Sequence, residues 1–184
     1  MLNQTVSKDM DSKQKRFEKL TRALHSDIYR YAYWLCGHAQ IAEDLTQETF
    51  LRAWRKLDSL RNEKAAKAWL ITIVRRENAR RFEKYTPDFV DIELHGGDAA
   101  VDSIQEREHY GLQRAIARLE VEYREPLVLQ VVGGFSGEEI AQILEMNPNT
   151  VATRLFRARA QLKALYQDEQ STSSSPQHKG QEHG

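Results

Sequence analysis

The chain has 184 residues, with 27 Lys and Arg against 27 Asp and Glu. The balance and a pI near 7.0 argue against a generic polycation that coats nucleic acid, and a mean hydropathy of −0.68 is on the polar side for a globular chain. One cysteine, Cys36, excludes an internal disulfide framework. No window holds the 18 or so consecutive apolar residues of a membrane span. The polar start lacks the apolar core of a secretory signal, so a cytoplasmic protein is expected.

The pattern is helical throughout, and an all-α fold is expected. Residues 1–16 read as an N-terminal extension. Phe17, Leu20, Leu24, Ile28, Tyr31 and Leu35 then recur at three- and four-residue spacing, and Gly37 closes that helix. A second helix runs from about Ile41 to Leu57. Its core arc holds Ala42, Leu45, Thr49, Phe50, Ala53 and Leu57. Asp44, Gln47, Glu48 and Leu51 take the opposite arc, with Trp54 at the border. Two like charges four residues apart are mildly destabilising. A leucine beside carboxylates makes a mixed face that suits a protein partner, or an ordinary solvated face with one exposed leucine.

A third helix is expected from Ala65 to Lys84. Ala66, Trp69, Leu70 and Ile73 mark its buried arc. Ile71, Arg75, Asn78, Ala79 and Phe82 lie opposite, flanked by Arg76 and Arg80. Arginine forks match phosphate, and planar groups stack on unpaired bases, so this strip suits melted DNA. Residues 58–85 carry eight basic against four acidic residues, a net of +4. Residues 86–109 carry one against seven, a net of −6. With Pro87, Gly96 and Gly97, residues 86–105 read as an acidic linker between two small helical domains, 17–85 and 106–168.

In the second domain Leu112, Ile116 and Leu119 begin a helix, and Pro126 is expected to start the next. Gly133 and Gly134 stop it. Ser136 to Glu139 is a capping box opening a short helix with Ile140, Ala141 and Leu144 inward. Asn147 and Pro148 supply an N-cap and first-turn proline for the last helix. A short helix, a tight turn and a longer helix form a helix-turn-helix pattern. On the last helix Val151, Leu155, Ala158, Leu162 and Leu165 share the buried arc. Asn149, Ala152, Thr153, Phe156, Arg157 and Lys163 face out, with Arg159 at the edge. Arginine reads guanine, and threonine or phenylalanine can touch a thymine methyl. Residues 169–184 read as a disordered tail rich in Ser, His and Gln.

Three stretches resemble one family. Ile41 to Phe50 (IAEDLTQETF) resembles the A-E-D-L-x-Q-E-x-F motif of extracytoplasmic-function (ECF) sigma factors of the sigma-70 family. Ala68 to Ile73 (AWLITI) resembles their W-L-x-x-I helix. Ser136 to Leu144 and Asn149 to Arg159 resemble their helix-turn-helix. The resemblance implies an alternative sigma factor that docks on core RNA polymerase and directs promoter-specific initiation, in stress-response regulons and under an anti-sigma factor. It implies core binding by Asp44, Gln47, Glu48 and Leu51. It implies −10 DNA binding by Arg61, Lys64, Arg75, Arg76, Ala79 and Arg80, with the loop Asp58 to Lys67 capturing a flipped base. It implies −35 DNA binding by Thr150, Thr153, Arg154, Phe156, Arg157 and Arg159. The acidic linker resembles a segment that threads polymerase channels and mimics RNA. Two positions depart from the family's habit: Arg76 where an Asn is common, and Ala152 where Lys or Arg is common.

The alternative reading is a stand-alone helix-turn-helix regulator, which leaves the face of Asp44, Gln47 and Glu48 without a task. An enzyme is not expected, because no phosphate loop, nucleophile–base set or clustered metal ligands stand in the sequence. No cofactor and no metal are expected. Cys36 and His38 read as a buried thiol and a surface imidazole rather than as ligands.

Overall fold

The structure, a computed structural model, describes residues 2–84 and 104–173, and side chains of residues 10–81 and 111–168. Its elements are seven α-helices and two 3₁₀ turns, with no strand among the described residues. In chain order they are α1 (Leu2–Cys36), α2 (Ala39–Lys56), α3 (Ala66–Lys84), α4 (Ile104–Ala117), α5 (Val121–Val131), α6 (Gly137–Leu144) and α7 (Pro148–Ser173). The 3₁₀ turns, Leu57–Ser59 and Glu63–Ala65, lie between α2 and α3.

The first helix is longer than its apolar periodicity implies. It runs through the stretch read as an extension, where polar residues with good helix propensity (Lys13, Gln14, Lys15, Arg16) carry the helix ahead of Phe17. Gly37 ends it at φ 72°, a conformation that costs glycine little, and its amide bonds the Tyr33 carbonyl at 2.8 Å. His38 caps α2 by accepting from the Ile41 amide at 3.4 Å, and the Cys36 thiol donates to the His38 carbonyl.

Leu20, Ile28, Tyr31, Leu35, Ala42, Leu45, Phe50, Ala53, Leu57, Leu70 and Val74 are buried between α1, α2 and α3. Each fully buried large aliphatic side chain stabilises by about 1.5–3 kcal/mol. That core does not stop at the third helix. Ile140, Ile143, Leu144, Val151 and Leu155 of the second half belong to the same continuous apolar cluster. Helix α1 packs on α4 and α5 as well as on α2 and α3, and α3 meets α6. A smaller cluster of Leu119, Leu127 and Ala158 joins α5 to α7.

The structure departs from the sequence expectation at several points. Ile71 is fully buried and Asn78 is buried, because the second half covers that side of α3. Pro126 does not open a helix; α5 starts at Val121, with Pro126 inside it and buried. Residues 2–16, within the stretch read as an extension, are helical and continuous with the rest of α1. The acidic linker 86–105 lies outside the described residues up to 103, and Ile104 already begins α4. Of the tail, α7 extends to Ser173, and residues 174–184 lie outside the described residues. The side chain of Phe82 also lies outside them.

The capping box forms as expected. The Glu139 carboxylate accepts from the Ser136 amide at 2.8 Å, and the Ser136 hydroxyl accepts from the Glu139 amide at 3.3 Å. The Ser136 amide, then its hydroxyl, hold the Glu139 carboxyl below the usual glutamate range. Ahead of it, a Cβ on Gly133 would stand 2.5 Å from the Leu129 carbonyl oxygen, so only glycine fits that turn. Between α6 and α7 the turn residue Glu145 sits at φ 55°, ψ 45°, left-handed and not glycine. A side chain there costs roughly 1–2 kcal/mol. Glu145→Gly is expected to raise thermal stability by about 0.5–1 kcal/mol after glycine's extra chain entropy is offset. Calorimetry checks it, and an unchanged or lower midpoint contradicts it.

Candidate nucleic-acid interface

Three surfaces carry the residues singled out in the sequence. The first is the outer face of α2. Asp44, Gln47 and Leu51 are exposed there, and Leu51 shows 55% of its surface. Glu48 is half-buried, because Arg52 Nε lies 2.8 Å from its Oε1. The same Nε lies 2.8 Å from Oε1 of Glu77 on α3, a carboxylate only 9% exposed. Arg80 Nη1 reaches that same oxygen at 3.0 Å. Glu48, Arg52, Glu77 and Arg80 thus form one charge chain from the α2 face to α3. The i,i+4 and i,i+3 spacings of its ends are visible in sequence, whereas the Arg52–Glu77 pair comes only from the packing of α2 on α3. Trp54, placed at the border of this face, instead packs edge-on against Phe17 with ring centroids 5.2 Å apart.

The second surface joins α3 to the loop before it. Arg76, Ala79 and Arg80 are exposed on one strip. Arg61 and Lys64 stand on the exposed loop tip, where the Asn62 side chain accepts from the Lys64 amide at 3.0 Å. Arg75 does not share the strip. Its guanidinium forms an ion pair with Glu125 of α5 and donates to the Ile143 carbonyl of α6 at 2.6 Å. Arg124 makes a second tie, donating to the Leu35 carbonyl at the end of α1 at 3.2 Å and to the Leu119 carbonyl at 2.8 Å. Burial depresses its guanidinium pKa. Tyr31 lies fully buried close by; burial first, and the Glu125 carboxylate second, raise its phenol well above the ordinary range.

Arg75 is therefore a clasp between the two halves in this arrangement. Arg75→Ala leaves a mostly buried carboxylate and a carbonyl without their cation. It is expected to weaken the docking of the halves by about 1–3 kcal/mol. Small-angle scattering should show a larger radius of gyration at unchanged helix content. A variant as compact as the wild type contradicts this.

The third surface is the outer strip of α7. Thr150, Thr153, Phe156, Arg157 and Arg159 are exposed, and Phe156 shows 73% of its surface. Thr153 Oγ1 donates to the Asn149 carbonyl at 2.9 Å, and Arg159 donates to Gln130 Oε1 at 2.5 Å. Arg154 is half-buried and tied inward: it pairs with Glu122 at 3.2 Å and lies 3.3 Å from the Met146 sulfur. Asn147 caps α7, accepting from the Asn149 amide at 2.9 Å. The buried arc of the helix is as read: Val151, Leu155 and Ala158 are buried and Leu162 and Leu165 half-buried. Among the described residues no cluster of His, Cys, Asp and Glu could hold a metal ion. No helix there is long and apolar enough to cross a membrane.

An all-α chain with a mixed acidic and apolar face, an arginine strip and a helix-turn-helix has the parts of a transcription initiation subunit. Residues 20–86 match Sigma-70 region 2, and residues 110–162 match Sigma-70, region 4. The ECF RNA polymerase sigma factor SigW of Bacillus subtilis is 27% identical over 183 residues, spanning 91% of this chain and 98% of that one. The ECF RNA polymerase sigma factor EcfG of Rhodopseudomonas palustris is 31% identical over 156 residues, spanning 79% of this chain and 86% of that one. Among solved structures, the Bartonella quintana sigma factor RpoE, in complex with the anti-sigma factor NepR, superposes with a TM-score of 0.66. It is 28% identical and covers 83% of this chain and 98% of that one. The chain belongs to the ECF sigma factors of the sigma-70 family.

Proposed function

We propose that this chain serves as an alternative sigma subunit that works in the cytoplasm, catalyses no reaction, and gains promoter specificity only with core RNA polymerase. Asp44, Gln47 and Leu51 dock on the polymerase, with Glu48 contributing through its ion pair to Arg52. The loop tip with Arg61 and Lys64, and the strip of Arg76, Ala79 and Arg80, engage the −10 element. Thr153, Phe156 and Arg157 read the −35 element, with Thr150, Arg154 and Arg159 toward its phosphates or the polymerase.

The observation that carries this reading is the coexistence of three exposed surfaces on one chain whose two halves share a core. Bases in the −10 and −35 elements stand about 25 base pairs apart by their names, roughly 85 Å along B-form DNA at 3.4 Å per pair. In this arrangement α3 touches α6 of the helix-turn-helix. The closed form cannot span that distance, so the halves must separate to read both elements. The zero net charge adds to the same effect, since free DNA is not held by bulk charge. Arg75 then exchanges its Glu125 pair for DNA phosphate. An anti-sigma factor is the further partner: the similar RpoE was solved with one, and the exposed Leu51 and Phe156 are surfaces such a partner would cover.

The test is a binding comparison on one promoter fragment. Chain alone, core alone and the two together are titrated at one salt concentration. Tight, sequence-dependent binding is expected only in the mixture. Equal specific binding by the chain alone overturns the reading in favour of a stand-alone regulator.

A further inference from the structure

The loop between α2 and α3 is held from a part of the chain that no motif marks. Two of its leucines, Leu57 and Leu60, are buried and anchor it from below. Between and beyond them Asp58, Ser59, Arg61, Asn62, Glu63 and Lys64 are exposed. The loop is not slack. The Leu60 amide bonds the Leu57 carbonyl at 3.0 Å, the Ala65 amide bonds the Asn62 carbonyl at 3.1 Å, and Ser59 Oγ donates to the Lys56 carbonyl at 2.7 Å.

Among the described residues, the side chains that tie the loop to α1 come from one turn of that helix. Arg16 donates through Nη2 to the Leu60 carbonyl and through Nη1 to the Leu57 carbonyl at 3.5 Å. Arg16 Nε lies 3.5 Å from Glu63 Oε1. Three residues earlier on the same helix face, Lys13 Nζ meets Asp58 Oδ2 at 2.6 Å and sits 5.5 Å from the Trp54 ring centroid. One guanidinium therefore spans both ends of the first 3₁₀ turn and the start of the second. A fork with five donors suits that task, whereas a lysine ammonium meets only part of it.

We propose that Arg16, with Lys13 beside it, is a positioning residue for base capture: it holds the loop Leu57–Ala65 in the shape that receives an unpaired base. This rests on the reading of that loop as the −10 contact. Arg16 does not touch DNA; it sets where Arg61, Asn62 and Lys64 stand. Capture demands a pocket formed in advance, because flipping a base costs a few kcal/mol that only a well-placed pocket offsets. A loop freed from Arg16 still binds phosphate through its charges, but it distinguishes bases poorly.

The experiment uses holoenzyme reconstituted with core polymerase. The probe is a fork-junction DNA carrying a −10 element recovered by run-off transcription, in a matched set with each single-stranded base replaced in turn. Arg16→Ala is expected to lower affinity for the cognate fork about tenfold, the scale of losing a charged hydrogen bond. Affinity for the replaced forks and for core polymerase should stay within about twofold, so the discrimination ratio falls with the cognate affinity. Arg16→Lys should recover part of the ratio. A purely structural role would lower all forks and core binding together, which overturns the proposal. So does an Arg16→Ala holoenzyme that discriminates like the wild type while Asn62→Ala loses discrimination. If Arg61→Ala, Asn62→Ala and Lys64→Ala all discriminate normally, the loop reading itself fails and takes the brace with it.

Discussion

A chain carrying Asp44→Arg and Leu51→Asp should not co-purify with core polymerase, while its circular dichroism and thermal midpoint match the wild type. Both side chains point outward from α2, and neither joins its core arc of Ala42, Leu45, Thr46, Thr49, Phe50 and Ala53. Their replacement removes no buried contact. Reversing Asp44 even relieves the repulsion from Glu48 four residues on, worth a few tenths of a kcal/mol. At an interface, buried anchors cost about 2 kcal/mol or more each when lost, so two together weaken docking at least several hundredfold. Reversal of Glu48 is a poorer probe. It would set a cation against Arg52 and loosen the hold on Glu77 in α3, mixing docking with stability. Co-purification at the wild-type level would remove the α2 face from the account.

The second large effect lies on α7. Phe156→Ala and Arg157→Ala should each reduce promoter-specific transcription about 10- to 100-fold, the range of roughly 1–3 kcal/mol for losing one base contact. Both residues are exposed and lie beside Thr153 on the outer strip. Arg159→Ala should weaken all templates more evenly and reduce the salt dependence, as a phosphate contact does. Arg154 is expected to matter least at the bases, since its guanidinium is tied to Glu122 and packed against Met146. Competition between promoter fragments with altered −35 bases separates these classes. A uniform loss across altered fragments for Arg157→Ala would make it a phosphate contact instead.

Much of this was legible in the residues. Strict three- and four-residue spacing located α1 beyond Phe17, α2, and the buried arc of α7. The capping box at Ser136 and the Asn147–Pro148 pair set the starts of α6 and α7 within a residue. These are local signals, decided by neighbours three or four positions away. What remained hidden was set by distant packing. Ile71 and Asn78 fall on the polar arc of an isolated α3, yet the second half covers them. Arg75 reads like its neighbour Arg76 in sequence; only the approach of Glu125, 50 residues on, separates a clasp from a free cation. Lys13 and Arg16 sit in a run with no apolar repeat, so nothing local ties them to a loop more than 40 residues later.

Net charge shows the same division. The balance of 27 against 27 hides a net +4 over residues 58–85 and a net −6 over residues 86–109. Within the described residues the basic side is itself partly neutralised: Arg52 and Arg80 share Glu77, Arg75 holds Glu125, and Arg16 approaches Glu63. Of these pairs only Arg75–Glu125 joins the two halves, so it is the one that their parting would break.

Run-off transcription on a fragmented genomic template, with purified core polymerase, separates a sigma subunit from a stand-alone regulator. Discrete transcripts from a small set of promoters are expected when chain and core are combined, and none of them from core alone. Asp44→Arg and Leu51→Asp should abolish them. The same transcripts from core without the chain, or their persistence with the altered α2 face, would rule out a sigma subunit docked through α2.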